Sequence, residues 1–476
     1  MTFHSRLLAA SAVIASSACA VNPATGKREI MLVSEGQELA MGKQYDQQLV
    51  AELGLYDDAA LAGYVQQLGL RLAALSERPQ LPWAFRLVDD PVVNAFAVPG
   101  GYIYITRGIM AHMGSEAQLV SVLGHEIGHV TARHTAQQIT QQQLVGLGLG
   151  IGSLFSPTAA GIASVGAQVL FLKFSRDDES QADELGFRYM RAARYDPREA
   201  ADVFAQLARV SGTSGSRLPE WQSTHPDPEN RRGKALARAA TLPEAELSAA
   251  AVRRDEYFNR LDGMVFGTDP RQGYFLHARF VHPQMAFELS FPAGWQYVNQ
   301  RAMVAAQSAE KDAVVLLTLA EGNSPAEAAR AFFGGEGVSG TPTSGTINGL
   351  SAVGGAFTAQ AGQETYQGEV QFVAHGDVVL QLLGYAGAAR WSARSAVVRA
   401  ALRSVRRLTD QRILAAQPWR LDIVRTDRTL TPAEFLQRYP GPVEAGDLAL
   451  INQVDEGGRF MSRNLVKRVV GAPFPR

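Results

Sequence analysis

The chain has 476 residues, 46% of them hydrophobic, with 45 Lys+Arg against 46 Asp+Glu. This is a globular composition with enough length for two or three domains and a sizeable core. Net charge near zero, with no dense basic run interleaved with aromatics, sets the chain apart from nucleic-acid binders.

At the N-terminus Arg6 precedes an apolar stretch, Leu7 to Ile14. That is the layout of a secretory signal peptide, too short for a permanent membrane anchor. Cys19 is the single cysteine, so no internal disulfide exists. Ser17-Ala18-Cys19 resembles a bacterial lipobox, with residues 1–18 removed and Cys19 lipidated. Ser16 stands where a lipobox usually has Leu, and "ACA" leaves cleavage after Ala20 as an alternative. The expectation is a periplasmic protein held at a membrane by lipidated Cys19. Ala20 follows the cysteine where an Asp would suggest inner-membrane retention, which points to the outer membrane.

Beyond an extended leader, Ser34 caps a helix from Glu35 to Leu53. A second helix is predicted from Asp57 to Leu75, with Leu61, Val65, Leu68 and Leu72 at helical spacing. "WAFRLVDD" reads as a strand and "NAFAVPGGYIYITRG" as a hairpin turning at Pro99-Gly100-Gly101, with a strand from Tyr102 to Thr106. Ser115 and Gln118 predict a capping box at the start of the next helix. On that helix Leu119, Leu123, Ile127 and Val130 line a core side, while His125 and His129 share another.

From Thr135 to Leu172 there is no charged residue, and Pro157 divides the segment. Each half is shorter than the roughly 20 residues needed to cross a bilayer. It reads as a packed helical hairpin, with a lid or membrane-leaning hairpin beside the cleft as the functional alternative. A charge at Leu147 or Leu170 is expected to disturb it. "SRDDESQADELGFRYM" begins a helix with Glu179 and Asp183 four apart. More helix continues to about Asp262, interrupted by "STHPDPENR".

His125-Glu126-x-x-His129 is HExxH on a helix. The i, i+4 spacing puts two imidazoles on one face, close enough to share a zinc ion. Glu126 lies about 100° around the helix, free to act on a water without ligating. A catalytic zinc needs a third protein ligand and an open position. Glu179 is the best candidate, and Asp183, one turn on, can hold a ligating imidazole by its other N–H.

The pieces "NAFAVPGGYIYITRG", "LGHEIGHVTARH", "ESQADELG" and "THPDPENR", in this order, resemble the zinc metallopeptidase family of the CAAX prenyl endopeptidase, and within it the soluble periplasmic, BepA-like members. The likeness spans about Asn22 to Asp262. It implies a mainly helical zincin-type domain binding one zinc per chain through His125, His129 and Glu179. It also implies Glu126 as general base on the attacking water, Asp183 behind a ligand, and the strand Tyr102 to Thr106 along the cleft, where an extended substrate could add. The resemblance brings His225, stiffened by Pro226 and Pro228, near the site. There it could ligate the metal and hold the enzyme off, or donate to the oxyanion. His134 reads as a helix-surface residue.

The pattern changes near Gly267. "MAFELSFPAGW", "AVVLLTLAE", "YQGEVQFVAH" and "DVVLQLLGYA" read as strands, and "SPAEAARAFF" and "WSARSAVVRAALRSV" as helices. The glycine-rich "FFGGEGVSGTPTSGTINGL" reads as a flexible loop. A last unit has the order strand, helix, helix, strand and is weakly similar to a LysM-like fold. Peptidoglycan contact and a packing or docking role both stay open for it. The expected class is therefore α+β: a signal peptide at 1–18, a metallopeptidase domain at 19–265, an α/β sandwich at 268–407 and a small unit at 410–476. The expected function is zinc-dependent endopeptidase action on envelope proteins in quality control. The rival reading is a binding or assembly factor of the envelope with a latent site. Expected partners are protein or peptide substrates, envelope assembly proteins and the membrane through the lipid, with no nucleic acid.

Overall fold

The computed structural model describes residues 19–148, 174–213, 225–361, 364–455 and 457–474. The signal segment at 1–18, most of the uncharged stretch including Leu170, and the side chain of Leu147 lie outside the described residues.

Strands β1 (Cys19–Val21) and β2 (Arg28–Ile30) pair antiparallel. Helix α1 (Glu35–Leu53) starts where Ser34 and Gln37 exchange side-chain-to-backbone hydrogen bonds. Asp58 caps α2 (Ala59–Ala73), which buries Leu61, Val65, Leu68 and Leu72. Their spacing on one face is the reason this segment is helical and stays docked.

Next come β3 (Ala84–Val88), β4 (Ala95–Val98) and β5 (Tyr102–Thr106), in the sheet order β3-β5-β4. Gly100 and Gly101, with φ of 82° and 100°, make the β4–β5 turn. β5 runs parallel to β3 and antiparallel to β4. The strand Tyr102 to Thr106 is thus bonded on both sides and offers no edge to a substrate, contrary to the sequence expectation. The outer strand on that side is β4.

Helix α3 (Arg107–His112) leads into α4 (Glu116–Thr131), which carries HExxH. All 16 residues of α4 are buried, so it is a central helix with no solvent face. Ser115 accepts the Gln118 N–H as expected. The return bond of the box is missing, however. The Gln118 amide oxygen takes the Gly114 N–H instead, and its side chain pairs with Gln453 from the far end of the chain.

Then follow α5 (His134–Gly148), α6 (Arg176–Ala192), α7 (Glu199–Thr213), α8 (Pro228–Ala239), α9 (Glu244–Ala249), α10 (Arg254–Arg260) and the short β6 (Val265–Phe266).

Beyond β6 lie β7 (Tyr274–Leu276), β8 (Arg279–His282), β9 (Phe287–Ser290), β10 (Gln296–Gln300), β11 (Met303–Gln307), β12 (Ala313–Leu319), α11 (Pro325–Phe333), β13 (Val338–Gly340), β14 (Thr343–Ile347), β15 (Leu350–Ala361), β16 (Glu364–His375), β17 (Val378–Gly387), α12 (Ala388–Leu402) and β18 (Arg406–Arg407). An antiparallel sheet runs β10-β11-β12-β17-β16-β15-β13, with β14 also on β15. Alternation along its strands gives each face its own core. Leu380 and Leu382 pack with Val398 and Leu402 of α12, while Val370, Phe372 and Val379 pack with Ala328 and Ala329 of α11. The glycine-rich stretch is not a loop: β13 and β14 lie within it and pair with β15. Gly340 permits this, because a Cβ there would collide with the Ala356 carbonyl.

The chain ends with α13 (Gln411–Leu414), β19 (Trp419–Arg425), α14 (Pro432–Arg438), α15 (Ala445–Ile451) and β20 (Leu465–Val470). β19 pairs with β20 on one side and with β6 on the other. Leu421, Leu430, Phe435, Leu448, Val466 and Val469 belong to the same hydrophobic cluster as Leu119, Leu123 and Ile127 of α4. The terminal β-α-α-β unit therefore shares the core that supports the HExxH helix.

Candidate metal centre

The site is built where α4 meets α6, and small residues set the distance. A Cβ added at Gly124 would stand 3.2 Å from the Gly186 Cα, and one at Gly128 would stand 2.9 Å from the Ala182 carbonyl oxygen. No larger side chain fits without separating the backbones. The close approach brings His125, Glu126 and His129 opposite Glu179 and Asp183. Gly128→Val is expected to cost about 1–3 kcal/mol by overpacking. It should also weaken metal binding while leaving every ligating residue intact. Thermal melting and metal affinity measured side by side check this; unchanged affinity would mean that the helix spacing does not set the ligand geometry.

One ligand atom each from His125, His129, Glu179 and His225 lies within 4.8 Å of the others, and all four residues are buried. The His129 Nε2 is 3.0 Å from the His125 Nε2. The His225 Nδ1 is 2.8 Å from the Glu179 Oε1 and 3.3 Å from the His125 Nε2. Glu179 oxygens lie 3.6 Å from the His125 Nε2 and 3.5 Å from the His129 Nε2. Glu126 faces the cluster without joining it, with its Oε1 3.7 Å from the His225 Nε2. That oxygen is buried and has no hydrogen-bond partner among the described residues.

The outer ring nitrogens are engaged elsewhere. His125 Nδ1 lies 3.0 Å from Asp183 Oδ1, and His129 Nδ1 lies 2.9 Å from His134 Nδ1. With the ring protons at these Nδ1 positions, two Nε2 lone pairs face each other beside a carboxylate. Such a set repels itself unless a cation sits among it, and imidazole with carboxylate is a donor set suited to zinc. The residues present fit the metal that the sequence implies.

Residues 59–240 match the model of Peptidase family M48. The mitochondrial metalloendopeptidase OMA1 of Schizosaccharomyces pombe is 30% identical over 238 residues, which cover 47% of this chain and 67% of that protein. The chain belongs to peptidase family M48. The Beta-barrel assembly-enhancing protease of Escherichia coli K12 is 33% identical over 219 residues, 44% of this chain and 45% of the relative. The OMA1 of Arabidopsis thaliana is 37% identical over 174 residues, 36% and 35% of the two chains. This M48 chain thus spans about half the length of most of the curated relatives it matches. Among its described residues no helix is long and apolar enough to cross a membrane.

Two buried residues of this M48 site escaped the sequence reading. Arg231 sits six positions after His225, in a stretch read only for its histidine. Its guanidinium donates to both Asp183 oxygens, at 2.9 and 2.6 Å, and lies 2.8 Å from Glu179 Oε2. His134 is 1% exposed and is no surface residue. Arg133, at φ 61°, breaks the helical path between α4 and α5 and turns His134 back onto His129. A positive φ at an arginine is not readable from spacing.

Burial drives the electrostatics. It pushes Glu126 up to about 7. It pulls His125 down to about 3, helped by the positive charge of Arg231, and His134 down to about 4. Burial would raise Glu179 and Asp183 as well, but here the neighbouring guanidinium and the hydrogen bonds from the imidazoles prevail. His225 and Arg231 hold Glu179 well below the usual carboxylate range, and Arg231 with His125 does the same for Asp183.

Proposed function

We propose that this M48 chain is a zinc metalloendopeptidase, with His125, His129 and Glu179 as the protein ligands and Glu126 as the general base. The observation that carries this reading is the buried convergence of two imidazoles and a carboxylate beside an unpartnered glutamate oxygen. Zinc held there would lower the pKa of the attacking water and polarise the scissile carbonyl. Asp183 orients the His125 ring through Nδ1, and Arg231 fixes Asp183. Glu126 takes the proton of the water and passes it to the leaving amine. Burial raises this carboxyl to about 7 in the metal-free chain, and a cation held by the neighbouring ligands would draw it down and favour the ionised base. Metal analysis of the purified chain, with about one zinc expected, tests the reading. A chain that takes up none would defeat it.

His225 bears on how active the enzyme is at rest. Its imidazole lies among the ligand atoms, where water or substrate has to stand. This favours a resting state held off by His225 over an oxyanion donor. It also lends weight to the second reading, an envelope assembly factor whose protease is mostly latent. His225→Ala is expected to raise basal kcat/KM several-fold on an unfolded protein substrate. A lower kcat at constant KM would make His225 the oxyanion donor instead.

The wider role is proposed from chemistry and likeness together. The Beta-barrel assembly-enhancing protease among its relatives supports assembly proteins as partners, and envelope proteins as substrates with quality control as the task complete the proposal. Kinship with the CAAX prenyl endopeptidase and its soluble periplasmic members is part of the same reading. Lipidated Cys19 would hold the mature chain at the outer membrane, after removal of residues 1–18. A mature N-terminus at Val21 without lipid, found by mass spectrometry, would remove that anchor. An extended substrate would add to β4, the outer strand beside α4. For the LysM-like unit at 410–476, burial of its strands and helices in the peptidase core supports a packing role over peptidoglycan contact. The α/β sandwich at 268–407 would be a separate body following the metallopeptidase domain at 19–265.

A further inference from the structure

His129 and His125 hold their outer ring nitrogens in different ways. His125 Nδ1 faces a carboxylate, Asp183, whereas His129 Nδ1 faces another imidazole, the Nδ1 of His134 at 2.9 Å. If the Nε2 of His129 is to present a lone pair to a metal, its proton must sit on Nδ1 and needs an acceptor. His134 can accept only as a neutral ring protonated at Nε2. Its Nε2 lies 2.7 Å from the Gln181 side-chain oxygen, an acceptor that fits this tautomer, and 3.7 Å from Asp178 Oδ1. The hydrogen bonds therefore run in one direction, from His129 to His134 to Gln181.

The backbone is bent to make this relay. α4 ends at Thr131, and Arg133 adopts φ 61°, a conformation that disfavours any residue with a Cβ. Arg133 is held there by its own side chain. Its Nε donates to Glu38 Oε2 at 2.8 Å, and a terminal nitrogen donates to the Val33 carbonyl at 3.0 Å. Glu38 is fixed in turn by buried Arg78 at 2.7 Å. A simple continuation of α4 would carry His134 around the helix and away from His129.

We infer that His134 is a positioning residue of the metal centre, one that sets the tautomer and ring orientation of His129 through a neutral imidazole–imidazole hydrogen bond. The inference rests on the proposed metal site. Its test is zinc affinity of the full chain, measured by competition with a chromophoric chelator. His134→Ala leaves the His129 Nδ1–H buried without an acceptor and is expected to weaken zinc 10–100-fold. His134→Gln, whose side-chain oxygen can take the same proton, should recover part of that loss. A purely structural role would lower the melting temperature of the metal-free protein and leave the affinity of the folded protein unchanged. In the unaltered zinc-loaded chain, nitrogen NMR of the histidine rings should show His129 protonated at Nδ1 and His134 neutral and protonated at Nε2. This measurement decides the matter if His134→Ala does not fold. Wild-type zinc affinity in His134→Ala, or a His134 proton found on Nδ1, overturns the inference. Failure of the unaltered chain to bind zinc would instead defeat the metal site itself.

Discussion

Glu126→Gln is expected to lower kcat/KM for peptide hydrolysis by about 10²–10⁴-fold and to leave the metal content unchanged. The two readouts separate because Glu126 borders the four-residue cluster without being part of it. Glutamine keeps the shape and cannot take a proton from water. His125→Ala or Glu179→Ala should by contrast lose metal and activity together. Full zinc occupancy in Glu179→Ala would remove that residue from the ligand set. The same Gln variant has a consequence in the metal-free protein. Burial raises Glu126 from its ordinary 4.5 to about 7. The folded state then keeps a proton that the unfolded chain sheds. Stability from this group is complete below about pH 4.5 and is lost as pH rises through about 7. Buried His125 and His134, pulled down to about 3 and about 4, make stability rise with pH over the same window. Replacing the carboxyl removes the opposing contribution and should steepen the rise of metal-free melting between about pH 4.5 and 7. An unchanged pH profile would mean that Glu126 is already ionised in the folded protein.

Ending the chain at Ala415 should unfold the peptidase rather than release an intact domain. The cut removes β19 from β6 and strips Leu421, Leu430, Phe435, Leu448, Val466 and Val469 from the cluster around α4. At roughly 1.5–3 kcal/mol for each large apolar side chain, the loss rivals the roughly 5–15 kcal/mol that keeps a domain folded. Polar ties go with it. Lys467 is wholly buried and donates from Nζ to the Ala111 and Met113 carbonyls, at 2.7 and 2.8 Å, at the end of α3. Gln453 bonds the His112 carbonyl and the Gln118 side chain at the start of the HExxH helix. A finer variant, Lys467→Met, keeps most of the volume and leaves those two carbonyls without their donor. It should cost about 1–3 kcal/mol. Circular dichroism and zinc binding of the shortened chain decide the main point. A folded, metal-binding fragment would show that the terminal unit is a separable module.

Much of this was legible from neighbouring residues. Ser34, Asp58, Ser115 and Ser175 each accept a backbone N–H three residues on, so helix starts are written into spans of a few positions. The i, i+4 spacing of His125 with His129, and of Glu179 with Asp183, needs only the helical period to align the side chains. Strand alternation in β16 and β17 is equally local. Interactions between distant parts of the chain were not legible. Gln118 has the sequence of a capping box, yet its side chain answers to Gln453, 335 positions away. Arg231 reaches Asp183 across 48 positions, and His134 turns inward only because Arg133 is pinned by Glu38, 95 positions away. β5 lost its expected edge to β3 and β4, and the glycine-rich stretch became strands because β15 was there to receive it. Caps and periodicity close their hydrogen bonds within one or two turns, so the sequence alone determined the helices and the ligand spacing. The backing of each imidazole and the shared core rest on groups that meet only after the chain has folded, and only the tertiary structure decided them.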